Sequence, residues 1–69
     1  MTKIGDVIKR ARKRKKLTGR EMAARCNVQR STVYNWEASS FLLRKNIRKL
    51  APVLGLTEAY LRRVNGERS

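Results

Sequence analysis

The segment "CNVQRSTVYNWE", residues 26–37, carries hydrogen-bonding side chains whose types and spacing suit molecular recognition. Read as a helix, it turns Val33 and Trp36 to one side, because residues three apart share a face. Three polar residues fall on another side: Arg30, Ser31 and Asn35. A guanidinium or carboxamide group can form two hydrogen bonds to one planar group of a binding partner. Solubility alone would be served by any polar residue. A plain solvated face is the alternative for this helix taken alone.

The balance of charge narrows the class of partner. Eighteen Lys and Arg stand against five Asp and Glu, a formal net charge of +13 in 69 residues. Such an excess repels itself and favours a polyanionic partner, with nucleic acid as the first candidate. An anionic membrane surface is the second candidate, but the sequence has no long apolar run and no lipid-facing stripe. We therefore expect a nucleic-acid partner and no membrane.

Size and residue types argue against an enzyme. A domain of this size buries only about 60% of its unfolded surface, which leaves little room for a catalytic cavity. The chain has no His and one Cys, so we expect no metal site, no His-based catalysis and no internal disulfide. The N-terminus lacks the apolar stretch of a secretory signal. We predict a cytoplasmic protein that needs no cofactor or small-molecule ligand.

Five helices are predicted from the apolar period and from the residues that punctuate it. The first spans about 3–15, where apolar residues recur at helical spacing: Ile4, Val7, Ile8 and Ala11. The second spans about 19–26 and begins with a capping box, in which Thr18 and Glu21 each bond to the backbone of the other.

A three-residue turn is predicted between the second and third helices. Asn27 suits the left-handed conformation that ends the second helix. Local capping rules alone would start the third helix at Ser31 or Thr32, but a turn that closes on Val28 starts it at 29 and extends it to 38. The predicted inward positions are Met22, Ala23, Cys26, Val28, Val33 and Trp36.

The fourth helix has one apolar face, formed by Leu43, Ile47, Leu50, Ala51 and Leu54. Pro52 lies inside this helix and removes an amide donor, so we expect a kink or an early end there. Gly55 stops the helix, Thr57 caps the fifth, and Gly66 ends the fifth before a polar tail of residues 67–69. Residues 1–66 are therefore predicted to form a single all-α domain.

The segment from Gly19 to Glu37 thus forms a helix, a turn and a helix. It resembles the helix-turn-helix of the Cro/repressor family of lambdoid bacteriophages, and of wider bacterial regulators with the same five-helix domain. The resemblance is carried by "LTGREMAARCNV", by the "WE" that ends helix three, and by "LAPVLGLTEAYL". The family's second helix often opens with Gln, where this chain has Gly19. The resemblance implies a compact five-helix, lambda-repressor-like fold and a sequence-specific repressor, more similar to Cro than to a longer lysogenic repressor.

The same resemblance implies that helix three lies in the major groove of double-stranded DNA. Arg30 would then pair with guanine, and Gln29 and Asn35 with adenine. Ser31 can serve either base, and Tyr34 can touch a thymine methyl or a phosphate.

Phosphate contacts are expected around the groove, from Arg12, Thr18, Arg20, Arg44 and Lys45. Arg12 also matches the family Arg that pairs with the Glu ending helix three, here Glu37, although a loose surface pair is the alternative. The basic run of residues 9–16 is also typical of a nuclear-localisation patch or of a solvated helix face. We favour long-range attraction to phosphate.

A homodimer, weak in solution, is expected on a palindromic operator, because one recognition helix reads only a few base pairs. The predicted interface comprises Phe41, Leu42, Leu43, Tyr60, Leu61 and Val64. The alternative is that Phe41 and Leu42 cap the core of the monomer. Two other functions remain open: binding of nucleic acid by charge alone, and an antitoxin or adaptor role in which residues 41–43 dock a protein.

Overall fold

The computed structural model describes residues 3–66 and forms five α-helices over that range. They are α1 (Ile4–Arg14), α2 (Gly19–Cys26), α3 (Arg30–Ala38), α4 (Arg44–Leu54) and α5 (Glu58–Val64). The described range contains no strand, and the predicted all-α fold is confirmed. The predicted polar tail, residues 67–69, lies outside the described residues.

The core is built from one face of each helix. α3 packs against both α1 and α2, and α4 packs against α1, α2 and α5. The largest fully buried side chains are Ile4, Ile8, Met22, Val33, Ile47, Leu50 and Leu61. The inward positions predicted for α1 to α3 are confirmed, with Val7 and Val28 partly buried at the edge of the core.

Three helices end in the same backbone motif, a left-handed residue followed by an apolar one. Lys16, Asn27 and Gly55 have φ angles of 59°, 59° and 69°. The amide of each following residue donates to the carbonyl five residues before it: Leu17 to Arg12 at 3.1 Å, Val28 to Ala23 at 2.9 Å, and Leu56 to Ala51 at 3.0 Å. Asn27 and Gly55 are predicted and confirmed, whereas a left-handed Lys has no signal in the sequence.

Several helix boundaries differ from prediction. α3 begins one residue later than expected, after Gln29. α5 ends at Val64 with its cap at Asn65, and Gly66 follows with a φ of 85°, as predicted for the residue that ends this helix. Leu43 precedes α4 and is 57% exposed, so its assignment to the inward face of that helix is wrong. α4 also continues through Pro52 to Leu54, so the predicted early end is wrong. Pro52 is exposed in the last turn, where one missing amide bond disturbs little of the helix.

The start of α1 lies in backbone contact with the end of α3. The Gly5 amide donates to the Ser39 carbonyl at 3.0 Å, and Lys3 Nζ donates to the Ala38 carbonyl at 3.2 Å. A Cβ at Gly5 would overlap the Glu37 carbonyl oxygen and lie 2.7 Å from the Ser39 carbonyl oxygen. Only glycine allows this approach, which places the start of α1 against the C-terminal end of α3.

We predict that Gly5→Ala destabilises the fold by about 1–3 kcal/mol, because its methyl group overpacks a contact made of rigid backbone. In a domain of this size, each kcal/mol corresponds to roughly 4–8 °C in Tm. Thermal unfolding followed by circular dichroism measures the effect. Lys9→Ala is the control, since Lys9 is exposed on the same helix. A Gly5→Ala protein that melts at or above the wild-type Tm would contradict the contact.

Candidate nucleic-acid interface

α3 has an anchored side and an exposed side. Val33 is fully buried and Trp36 is 4% exposed, and the helix packs against both α1 and α2. The predicted reading residues are all exposed on or beside this helix: Gln29, Arg30, Ser31, Tyr34 and Asn35. The anchored side gives the five exposed side chains a fixed orientation relative to the domain.

The start of α3 differs from the starts of α2 and α5. Thr18 and Thr57 cap α2 and α5 through their hydroxyl oxygens. Gln29 occupies the equivalent position before α3, and its side chain makes no capping hydrogen bond within the described chain. The Gln29 carboxamide is therefore not tied back to its own helix and lies at the exposed entry of α3.

The first turn of α2 contains the predicted capping box. The Glu21 amide donates to Thr18 Oγ1 at 3.0 Å, and the Thr18 amide donates to Glu21 Oε1 at 2.9 Å. These bonds to Thr18 hold the pKa of the Glu21 carboxyl below its usual value. The Thr18 hydroxyl accepts a bond within the chain and keeps its hydrogen for another acceptor.

The ring of Tyr34 lies over Gly19, the first residue of α2. A Cβ at Gly19 would lie 2.6 Å from Tyr34 Oη and 2.8 Å from Tyr34 Cζ. Gly19 is buried although it begins a helix, while Tyr34 remains 50% exposed. The absent side chain at position 19 thus makes room for a side chain of α3. The only signal in the sequence is the glycine itself, where the Cro/repressor family often has Gln.

Arg12 and Glu37 are brought together between α1 and the end of α3. Arg12 Nε donates to Glu37 Oε2 at 2.5 Å, and Nη2 donates to Oε1 at 3.3 Å. The two side chains are only 11% and 8% exposed. Arg12 Nη1 also donates to the Leu17 carbonyl at 2.9 Å, which joins the end of α1 to the same pair.

This geometry shows the ion pair predicted for Arg12, while its phosphate role stays a prediction. All three of its guanidinium nitrogens are bonded within the chain, and little of the side chain reaches solvent. These bonds use three of the five guanidinium N–H groups of Arg12. The other predicted phosphate residues are exposed: Thr18 and Arg20 at the start of α2, and Arg44 and Lys45 at the start of α4.

The predicted dimer interface is corrected at two positions. Leu42 is 4% exposed and Leu61 is fully buried, so their side chains belong to the core of the monomer. Phe41 and Tyr60 are 54% and 45% exposed, and Val64 is partly buried. With the exposed Leu43, these three residues leave apolar area on the outside of the domain.

The loop that carries Phe41 and Leu43 is held by Asn65, a residue the sequence reasoning missed. The Leu42 amide donates to Asn65 Oδ1, and Asn65 Nδ2 donates to the Leu42 carbonyl, both at 2.8 Å. These two bonds hold the backbone of Leu42 in place and turn its neighbours outward. An Asn after a helix predicts no such partner, because the partner lies 23 residues away.

The remaining chemistry of the described residues is sparse. Cys26 is buried, and its burial raises the pKa of the thiol, so it packs as a small apolar group. Residues 3–66 contain no cluster of three or more His, Cys, Asp or Glu side chains that could hold a metal ion. None of the helices described is long and apolar enough to cross a membrane.

A family model described as helix-turn-helix matches residues 8–61, which is well over half of the chain. The matched range begins within α1 and ends within α5, so it includes all of α2, the turn, α3 and α4. No curated protein matches the chain.

We predict that Glu37→Gln lowers the free energy of unfolding by about 3 kcal/mol, because it leaves the nearly buried Arg12 charge without a counter-charge. Chemical denaturation measures the loss. Glu58→Gln is the matched control, since Glu58 lies 3.8 Å from Arg48 in an exposed pair. Its effect should stay below about 1 kcal/mol. Equal and small losses in the two variants would show that the Arg12–Glu37 pair contributes no more than a surface pair.

Proposed function

We propose a specific role for this chain within the family to which it belongs, the helix-turn-helix family of DNA-binding transcription regulators. Members of this family are generally not enzymes. The proposed role is that of a Cro-like repressor, which binds a double-stranded operator in a sequence-specific manner as a dimer. Its proposed place of action is the bacterial nucleoid.

The observation that carries this proposal is the two-sided α3. Val33 and Trp36 fix one side in the core, and the other side presents Arg30 together with two carboxamides, from Gln29 and Asn35. Attraction to phosphate requires only positive charge. Carboxamides add nothing to that attraction, but they match the paired donor and acceptor of adenine in the major groove, as Arg matches guanine. The mixture of types supports reading of bases rather than charge alone.

The positive residues at the starts of α2 and α4 support docking on the DNA backbone. Arg20, Arg44 and Lys45 are exposed there, and the hydroxyl of Thr18 offers a further donor. Phosphate contacts set the position of a protein on the duplex but carry no sequence information. We assign these four residues to phosphate contacts and the exposed side of α3 to the groove. Repression then requires no further surface, since a protein bound across a promoter excludes other proteins from it.

The exposed apolar residues beside α4 and α5 support pairing of two subunits on the operator. Phe41 and Leu43 flank Leu42, whose backbone Asn65 already holds, so the loop loses little conformational freedom when it meets a partner. Tyr60 and Val64 supply further apolar area on α5. The charge of +13 on each subunit opposes association in solution, and DNA phosphates offset that repulsion. We therefore propose a weak dimer that pairs cooperatively on DNA.

The exposure of Phe41 and Leu43 also favours a second candidate, an adaptor or antitoxin that docks a protein partner through this loop. The two candidates differ in the DNA they require. A repressor dimer needs a two-fold operator, whereas an adaptor binds its partner without DNA.

We predict that Arg30→Ala costs about 1–3 kcal/mol on the best duplex and relaxes the preference at one base pair of each half-site. Selection of bound duplexes from a random pool measures this for wild type and variant. Lys45→Ala is the control, since it should weaken all duplexes alike and lower the slope of log affinity against log salt by about 0.9. A selected motif that stays equally sharp after Arg30→Ala would contradict base reading. Equal binding of operator and random DNA by the wild type would favour the charge-driven alternative.

We predict that Phe41→Ser with Leu43→Ser leaves the fold intact and abolishes cooperative pairing, because both side chains are exposed in the monomer. Gel-shift stoichiometry on a palindromic duplex should fall from two cooperatively bound subunits to independent half-site binding. Leu42→Ala is the comparison, since Leu42 is buried and its truncation should cost about 2–5 kcal/mol of stability. One wild-type subunit per site, without half-site symmetry, would contradict the dimer.

A further inference from the structure

We infer that Tyr34 contacts the DNA backbone rather than a base, and that Gly19 is the residue that positions it there. The inference rests on the proposed docking of α3 in the major groove, but it does not depend on base reading by α3. It changes the role of Tyr34 from a specificity residue to a source of affinity for any duplex.

The position of the Tyr34 hydroxyl carries this inference. Oη and Cζ are the atoms that a Cβ on Gly19 would meet first, at 2.6 and 2.8 Å. The end of the ring therefore lies against the first residue of α2, and not beyond the exposed entry of α3 where Gln29 and Arg30 lie. The side chain starts on the recognition helix and ends on the helix before it.

The docking geometry of a helix-turn-helix assigns different DNA surfaces to these two helices. The second helix of the motif, here α3, lies in the major groove with its N-terminal residues at the base edges. The first helix of the motif, here α2, crosses the sugar–phosphate backbone. A hydroxyl at the start of α2 therefore faces the DNA backbone. Tyr Oη–H is a hydrogen-bond donor to phosphate oxygen, and such a bond carries no sequence information.

Gly19 acts through Tyr34. It is buried at a helix start, because the ring covers it. Any side chain at position 19 would need the space that the ring occupies, so the ring would have to swing away from α2. A ring already held over Gly19 loses less conformational freedom when DNA binds. Tyr34 is therefore the contact residue and Gly19 the positioning residue.

Tyr34→Phe tests the contact, because it keeps the ring over Gly19 and removes only the hydroxyl. Fluorescence anisotropy with two labelled duplexes of equal length, the selected operator and a scrambled sequence, measures the affinity. We expect both duplexes to bind about three- to thirtyfold more weakly, by the same factor. The slope of log affinity against log salt should stay unchanged, since Tyr carries no charge whose binding releases counterions.

Gly19→Ala tests the positioning role in two backgrounds. With Tyr34 present, it should weaken binding of both duplexes to the level of Tyr34→Ala. In the Tyr34→Ala background it should cause no further loss, because the ring that the methyl displaces is already absent. The Tm of each variant separates lost contact from lost fold. If Gly19→Ala does not fold, the Tyr34→Phe comparison decides the contact alone.

Three results would overturn the inference. A loss on the operator alone would make Tyr34 a base reader, and no loss on either duplex would exclude a contact by its hydroxyl. Equal losses from Gly19→Ala with and without Tyr34 would show that the ring is not held at that position. Failure of the repressor proposal gives a different result from failure of this inference, since the wild type would then bind operator and scrambled DNA equally. The effect of Tyr34→Phe would still be measurable on both duplexes.

Discussion

The nearly buried ion pair of Arg12 and Glu37 is the interaction on which the orientation of α3 depends. Two charges with little access to water destabilise a fold unless each satisfies the other, and here the remaining guanidinium nitrogen is bonded to the Leu17 carbonyl. The pair therefore joins three points: the last turn of α1, the turn that follows it and the end of α3. Gly5 adds a backbone contact beside the same end of α3. Together these contacts fix one end of the helix, and Val33 and Trp36 fix its inner side.

Much of this architecture could be predicted because it depends on local chemistry. Helical periods, the capping box of Thr18 and the left-handed Asn27 involve residues within one or two turns of each other. Local spacing fails at Leu43. This residue continues the apolar spacing of α4, yet it lies before the helix and is exposed. The reason is non-local, since Asn65 holds the backbone of Leu42 from the far end of α5. A left-handed Lys16 was equally hidden, because its conformation follows from the burial of Leu17 and not from its own preference.

In the candidate interface, too, some residues could be predicted from the sequence and others could not. The exposed set on α3 could be predicted, since two inward anchors determine which side faces out. The position of the Tyr34 ring could not be predicted. It depends on the space left by the missing side chain of Gly19, which lies beside Tyr34 only once α2 and α3 are packed together. Arg12 is the opposite case. It belongs to a strongly basic run in the sequence, and only the packing of α1 on α3 separates it from its exposed neighbours.

Charge and geometry have separate tasks in a domain of this size. A charge of +13 weakens the folded state through self-repulsion and attracts every duplex alike, so it supplies affinity without selecting a site. A bound polyanion removes that repulsion and stabilises the folded form by mass action. Selection of a DNA site then requires groups that form directional hydrogen bonds. Their orientation must be kept although the positive charges of the domain repel one another. In the proposed role, the carboxamides of Gln29 and Asn35 and the planar guanidinium of Arg30 would meet that requirement, and only while α3 is held rigidly. A nearly buried ion pair, a backbone contact at Gly5 and two apolar anchors hold this nine-residue helix in place.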